Sequence, residues 1–340
     1  KKALLADGGV GTVDQALLAV LTCRHQPLRA YGLYRKVLVV DEVHAYQAYQ
    51  NRLLQHLLAA HATAGGSAVL LSATLPGNVR HGLVEAFQGR LGRQATRDAV
   101  ASMDYPLLTT AGRSGDPSNV KVEEHEERTV PLRLVHDHET VIGALRATAD
   151  RGCAVWVRNT VADAVDSFRM LAEQHPPDRL HLFHARFVLG DRAGIERDVL
   201  DRFGPDSNAM DRRGHILIAT QVVEQSLDLD FDLVVTDLAP FELILQRLGR
   251  GRRHPRNEHG DRVDPPDQRP PRPFLVFSPE PTCDPKEDWL AGRFGRYGRV
   301  YADHGRLWLT ARLVAEHPEI TVPGDLRNLI EWVYGPDSND

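Results

Sequence analysis

Lysine is nearly missing from this sequence. Lys1, Lys2, Lys36, Lys121 and Lys286 are the only lysines among 41 basic residues; the rest are arginines. None of the five follows a glycine, so no Gly-Lys-Ser/Thr phosphate loop is present, and no lysine here can cradle a β- or γ-phosphate. Cysteine is scarce as well. Cys23, Cys153 and Cys283 lie far apart and form no CxxC, which argues against a zinc site or a disulfide framework and fits a reducing cytoplasm. No stretch approaches the roughly 18 uninterrupted apolar residues of a membrane span. The opening run Lys1–Asp7 is too short and too soon charged to read as a signal peptide. With a net charge of −5 there is no global basic field announcing a nucleic-acid partner.

What is present is an ordinary globular composition, 42% apolar and 26% charged. At about 150 residues per domain, 340 residues predict two domains. Short apolar runs alternate with helical spacing, which predicts βα units and parallel sheets. Strands are expected at 36–41, 67–72, 128–134, 154–158, 180–183, 215–219, 233–236 and 274–277. Helices are expected at 13–21, 46–63, 140–150, 161–175, 190–203 and 241–250, and a helical pattern resumes over 289–313 and 326–334. The turn-rich stretch 109–119 reads as an exposed loop or linker, and the Pro-, Asp- and Arg-rich stretch 254–273 as a solvated loop.

Three short motifs carry chemistry. Asp41-Glu42-Val43-His44 follows directly on an apolar strand. In a parallel sheet ligands sit at the carboxyl ends of strands, where one carboxylate can hold Mg²⁺ and a second can orient or deprotonate water. A strand followed by an acidic helix N-cap gives the same letters. Ser72-Ala73-Thr74 also ends a strand; it is either a hydroxyl relay to the acidic pair or a simple Ser/Thr turn. Gln246-Arg247-Leu248-Gly249-Arg250-Gly251-Arg252-Arg253 concentrates guanidinium groups, with Arg250 and Arg253 on one helix face. Guanidinium binds phosphate oxygens bidentately, although a solvated basic helix end is the plain alternative. His136-Asp137 reads as a chance dipeptide rather than a metal site.

The order of these pieces resembles a superfamily 2 helicase. Gly11–Gln15, Asp41–Tyr46, Leu71–Pro76, His184–Phe187, Thr220–Asp230 and Gln246–His254 together resemble the helicase core of the CRISPR-associated helicase–nuclease of type I systems. Tyr297–Leu313 resembles the start of that family's C-terminal region. The resemblance implies tandem RecA-like parallel-sheet domains, the first incomplete, followed by a mainly helical C-terminal segment. It divides the chain into 1–112, 113–280 and 281–340. It implies ATP and Mg²⁺ as cofactors, with Asp41 on the metal, Glu42 positioning water, and Gln246, Arg250 and Arg253 facing the triphosphate. His44, Ser72 and Thr74 would link the nucleotide to the DNA track, and Asp228 would lie near the ribose. Thr12, Gln15, Arg158, Asn159, His184, Arg186 and Thr220 would line a single-stranded DNA path. The family's phosphate loop and HD nuclease domain lie N-terminal to the point where this chain starts. The implied partners are single-stranded DNA, a guide-RNA surveillance complex and that N-terminal portion.

The residues alone leave two other readings open. One is a different superfamily 2 helicase or RNA remodeller. The other is a nucleic-acid- or partner-binding module without ATPase activity of its own.

Overall fold

A computed structural model describes residues 5–43, 46, 48–89, 101–112, 116–122, 127–224, 227–286 and 289–335. His44, Gln225 and Ser226 lie outside the described residues. The chain forms two compact units, one of Lys1–Glu127 with Pro323–Asp340 and one of Arg128–Val322. No helix among the described residues is long and apolar enough to cross a membrane.

The first unit opens with α1 (Val13–Leu17), α2 (Gln26–Leu33), β1 (Val37–Val40), α3 (Ala48–Thr63), β2 (Ser67–Leu70), α4 (Gly77–Gly89), β3 (Leu107–Thr110) and β4 (Ser118–Lys121). β1 and β2 pair in parallel, with Val37 opposite Ser67 and Val40 opposite Leu70. Leu54, Leu57 and Leu58, spaced for one helix face, carry α3 into a core with Leu17, Val40, Val43 and Leu83. Alternate residues of the strands point away from that core. Val37, Val39, Val69 and Leu71 are all 46–63% exposed, so the small sheet presents an apolar outer face. β3 and β4 form an antiparallel pair where the sequence predicts a loop. Two of the four facing pairs are polar and satisfy one another: Thr109 Oγ1 donates to Asn119 Oδ1 at 2.8 Å, and the Thr110 and Ser118 hydroxyls lie 2.7 Å apart, while Leu108 faces Val120. Such mixed pairing over four residues leaves no apolar alternation to read.

The second unit contains β5 (Arg128–Val135), α5 (His138–Ala149), β6 (Ala154–Val157), α6 (Val161–Ala172), β7 (Leu180–Phe183), α7 (Leu189–Phe203), α8 (Ala209–Arg212), β8 (Ile216–Ala219), β9 (Leu233–Asp237), α9 (Phe241–Leu248), β10 (Phe274–Phe277), α10 (Tyr297–Val300), α11 (His304–Glu316) and β11 (Glu319–Val322). The strands form one sheet in the order β11-β5-β10-β9-β6-β8-β7, parallel except for the edge strand β11. β6, β8, β9 and β10 are buried along their whole length. Burial on both faces explains why they read as continuous apolar runs. Asp137 caps α5 by accepting the Thr140 N–H at 2.7 Å, and Thr160 caps α6 by accepting the Asp163 N–H at 3.0 Å. His136 Nδ1 lies 2.7 Å from the Ser278 carbonyl, so both residues of the His-Asp dipeptide have structural roles. α12 (Leu326–Tyr334) then returns to the first unit, burying Leu329, Ile330 and Val333. The compact units divide at 127/128 and 322/323. The β3–β4 pair stays with the first unit, while α10, α11 and β11 complete the second.

The stretch 254–273 is an irregular loop, exposed at many positions as the sequence predicts, but two of its arginines turn inward. Arg256 is fully buried and Arg269 only 5% exposed. Both converge on Asp230, itself fully buried: Arg256 Nε at 2.6 Å, Arg269 Nη1 at 3.2 Å and Arg212 Nη1 at 3.5 Å. Asp232 takes Arg269 at 2.8 Å and Arg212 at 3.3 Å, and Asp267 takes Arg252 at 2.7 Å and Arg269 at 2.9 Å. Arg256 also donates to the Gly204 and Gly260 carbonyls at 3.0 and 2.9 Å. Four guanidinium groups thus share three carboxylates, and these bonds pin the loop to the unit at Arg256 and Arg269. Asp230→Asn should cost about 3–5 kcal/mol, because it strands buried guanidinium groups. Denaturant unfolding followed by near-UV circular dichroism measures this; an unchanged midpoint would mean that Asp230 is not the hub.

Candidate functional site

The parallel register of β1 and β2 brings Asp41-Glu42 and Ser72–Thr74 out of the same end of the strand pair. Leu71 ties them: its N–H donates to the Val40 carbonyl at 2.9 Å, and its carbonyl accepts the Val43 N–H at 3.1 Å. Glu42 adopts a left-handed φ of 54°, uncommon for a residue with a Cβ. The Asp41 carboxylate accepts the Glu42 N–H at 2.9 Å, supporting the sharp turn. The turn buries Val43 completely while Asp41 stays exposed and Glu42 half-buried. Tyr46 donates to the Asp41 carbonyl at 3.3 Å. Burial, then the charge of Asp41, pushes the Tyr46 phenol up, which keeps it a donor. Thr74 is buried, and its hydroxyl has no hydrogen-bond partner among the described residues.

In the second unit, the arginines of Gln246–Arg253 divide into different tasks. Arg247, which the sequence reading passes over, is the most deeply committed. It pairs with Glu224 at 2.6 Å and donates to Thr236 Oγ1 at 2.6 Å and the Tyr301 hydroxyl at 3.2 Å. Burial alone would lower its pKa, but Glu224 holds it charged. Arg250 donates to the Val223 and Glu224 carbonyls at 3.0 and 2.5 Å, fastening the helix end to the Thr220–Asp230 stretch. Arg252 pairs with Asp267. Gln246 is half-buried on α9. Arg253 is the exposed one, with 42% of its side chain accessible. Its Nε lies 2.7 Å from Asp228, and its N–H donates to Asp230 at 2.8 Å. Asp228 also faces His254 Nε2 at 2.9 Å. Burial would raise the Asp228 pKa, but His254 and Arg253 together hold it below the usual carboxylate range. The arrangement presents one accessible guanidinium above a locked ionic base. The alternation Leu227-Asp228-Leu229-Asp230-Phe231-Asp232 is the sequence signal that could have found Asp230.

The nucleic-acid candidates separate by burial. Thr12, Gln15 and Arg186 are exposed. Gln15 Oε1 accepts from Arg29 at 2.9 Å, and Tyr31 stands 72% exposed on α2 nearby in sequence. The side chains of Arg158, Asn159 and Thr220 are buried. Arg158 pairs with Asp237 at 3.0 Å and lies 4.2 Å over the Trp156 ring. Asn159 donates to the Leu238 carbonyl at 2.7 Å. An arginine after a strand looks like a surface ligand, but a buried carboxylate on the neighbouring strand holds this one inside. His184 is buried too, stacked 4.2 Å from Phe187, and burial lowers its pKa.

Among the described residues no group of three or more histidines, cysteines, aspartates or glutamates is placed to hold a metal. Mg²⁺ needs less from a protein. It usually keeps several waters and takes one or two carboxylates with substrate phosphates, and the exposed carboxylate of Asp41 fits that role.

Comparison with known proteins adds the family. Residues 150–256 match the family described as CRISPR-associated nuclease/helicase Cas3, C-terminal. The CRISPR-associated endonuclease/helicase Cas3 of Thermus thermophilus is 34% identical over 98% of this chain and 38% of its own length. The crystal structure of T. fusca Cas3 with ATP superimposes with a TM-score of 0.84 at 32% identity, over 99% of this chain and 40% of that one. A chain of a CRISPR RNA-guided surveillance complex in a pre-nicking state gives 0.82 at 33% identity, over 99% and 42%. This chain thus spans well under half the length of the relatives it matches. Its motifs, its parallel sheets and these likenesses agree: the chain belongs to the CRISPR-associated nuclease/helicase Cas3 family.

Proposed function

We propose that the chain is the ATP-driven, single-stranded DNA translocating part of a type I CRISPR interference helicase–nuclease, which degrades invader DNA in the cytoplasm after a guide-RNA surveillance complex recruits it. The observation that carries this reading is Arg253. It is the accessible guanidinium of its segment, held by an accessible carboxylate, while Arg247, Arg250 and Arg252 are occupied within the unit. A side chain so placed can leave Asp228 for a triphosphate without unpairing the buried base.

The remaining roles follow. Through its carboxylate Asp41 would hold Mg²⁺, which when bound would supply charge neutralisation for the phosphates. Glu42 orients the attacking water and takes its proton. Gln246 acts beside Arg253, Arg250 braces their segment against the Val223 and Glu224 carbonyls, and Asp228 serves the ribose side. Ser72 and Thr74 respond to the nucleotide, and Thr12, Gln15 and Arg186 contact the DNA backbone. Local contacts of this kind do not need a basic protein, so a net charge of −5 is no obstacle.

The sequence holds no Gly-Lys-Ser/Thr. The 340-residue chain alone should therefore turn over ATP negligibly. Mixing it with a companion polypeptide that carries Gly-Lys-Thr, the HD-domain portion of the family, should restore turnover stimulated by single-stranded DNA. Robust turnover by the isolated chain would overturn the expectation. Unwinding of RNA duplexes in preference to DNA would favour a different helicase.

A further inference from the structure

The segment 71–76 between β2 and α4 has no regular structure, yet side chains from far away in sequence hold its main chain and that of Gly77 just beyond it, all within the first unit. The Tyr105 hydroxyl donates to the Ala73 carbonyl. Arg327 Nη1 donates to the Leu75 carbonyl at 2.9 Å. Glu331 Oε1 accepts the Gly77 N–H at 2.7 Å from 254 residues downstream. Arg327 and Glu331 lie one turn apart on α12 and are bonded to each other at 2.6 Å.

Gly77 is the first residue of α4, so its N–H is one of the donors that a helix start leaves without an intrahelical partner. The carboxylate approaches closely: a Cβ at Gly77 would meet Arg327 Nη2 at 3.0 Å and Glu331 Oε1 at 3.2 Å. Arg80, also buried, belongs to the same patch. Burial, then the like charge of Arg327, lowers its pKa, and Glu331 opposes the shift. Glu331 thus serves a backbone donor and balances two guanidinium groups at once. Such a carboxylate is hard to replace, and the loop path depends on it.

We propose that Arg327 and Glu331 are positioning residues for the Ser72–Thr74 loop: they set its main-chain path and so the placement of the Ser72 and Thr74 hydroxyls at the strand ends that carry Asp41 and Glu42. The inference rests on the ATPase reading above. It makes hydrolysis in the first unit sensitive to a helix that follows the second unit in sequence.

The test uses the full-length protein with single-stranded DNA. Glu331→Ala and Arg327→Ala should lower kcat for DNA-stimulated ATP hydrolysis by about tenfold to a hundredfold, the scale of a small misplacement in a reacting site. KM for ATP should stay within about twofold. Glu331→Gln keeps an oxygen for the Gly77 N–H but loses the charge that faces Arg327 and Arg80, and should recover only part of the rate. Gly77→Ala crowds the same contact from the other side and should lose rate even if Glu331→Ala folds poorly. Hydrogen exchange over 72–79 should rise in the slow variants while β6 and β8 stay unchanged. Arg312→Ala, which breaks an exposed pair with Glu316, should do nothing. Unchanged kcat in an active background would overturn the positioning role and leave the ATPase reading standing. Slow variants without faster exchange over 72–79 would overturn it as well. A wild-type protein with no DNA-stimulated hydrolysis would remove the ATPase reading, and this inference with it.

Discussion

Arg253→Ala should slow ATP hydrolysis by about 10³–10⁵-fold in the reconstituted assembly, the range observed for an arginine that stabilises phosphoryl-transfer charge. The neighbouring arginines cannot substitute. Arg247 is spent on Glu224 and Thr236, and Arg250 on two carbonyls. Stability should hardly move. The Arg253–Asp228 pair is 42% and 45% exposed, and such pairs contribute about 0.2–1 kcal/mol at most. A large rate loss with an unchanged melting temperature is therefore the signature of a transition-state role. Arg253→Lys should recover little, because a point charge cannot reproduce a planar bidentate fork. Normal hydrolysis by Arg253→Ala in steady-state assays would remove the assignment.

Glu42→Gln should lower single-turnover hydrolysis by about 10²–10⁴-fold while ATP binding persists. Glutamine matches glutamate in shape and can follow the same left-handed turn, so the Asp41–Glu42 hydrogen bond and the burial of Val43 should survive. What is lost is the ability to accept a proton. Equilibrium binding of a fluorescent ATP analogue separates this from a collapsed site. If Glu42→Gln bound nucleotide and hydrolysed it at the wild-type rate, another group would be the base.

The sequence made the buried parallel strands legible because both of their faces are covered. Ala154–Val157 and Ile216–Ala219 leave no room for polar residues, and their apolar runs say so. The same logic hid β11, an edge strand with only Ile320 buried, and β3 and β4, two of whose four facing pairs are polar. The strand-end position of Asp41-Glu42 was local information and could be read. The burial of Arg158 was not, because its partner Asp237 lies on a different strand. The inward turn of Arg256 and Arg269 within the otherwise exposed 254–273 stretch was hidden for a similar reason. Composition cannot tell solvent from a carboxylate as the partner of an arginine. The clasp of α12 on Leu75 and Gly77 was beyond any window of neighbouring residues.

Asp230 holds Arg212, Arg256 and Arg269, and also receives the main chain of Arg253. Its consequence is evolutionary. Losing any one member strands the others in a low-dielectric interior, so single replacements are steeply disfavoured. Concerted replacement by apolar side chains of matching volume is not. The segment is thus free to change only as a block. A substitution at Arg256 or Arg269 in a homologue should travel with one at Asp230, while Arg253 above them can remain the same.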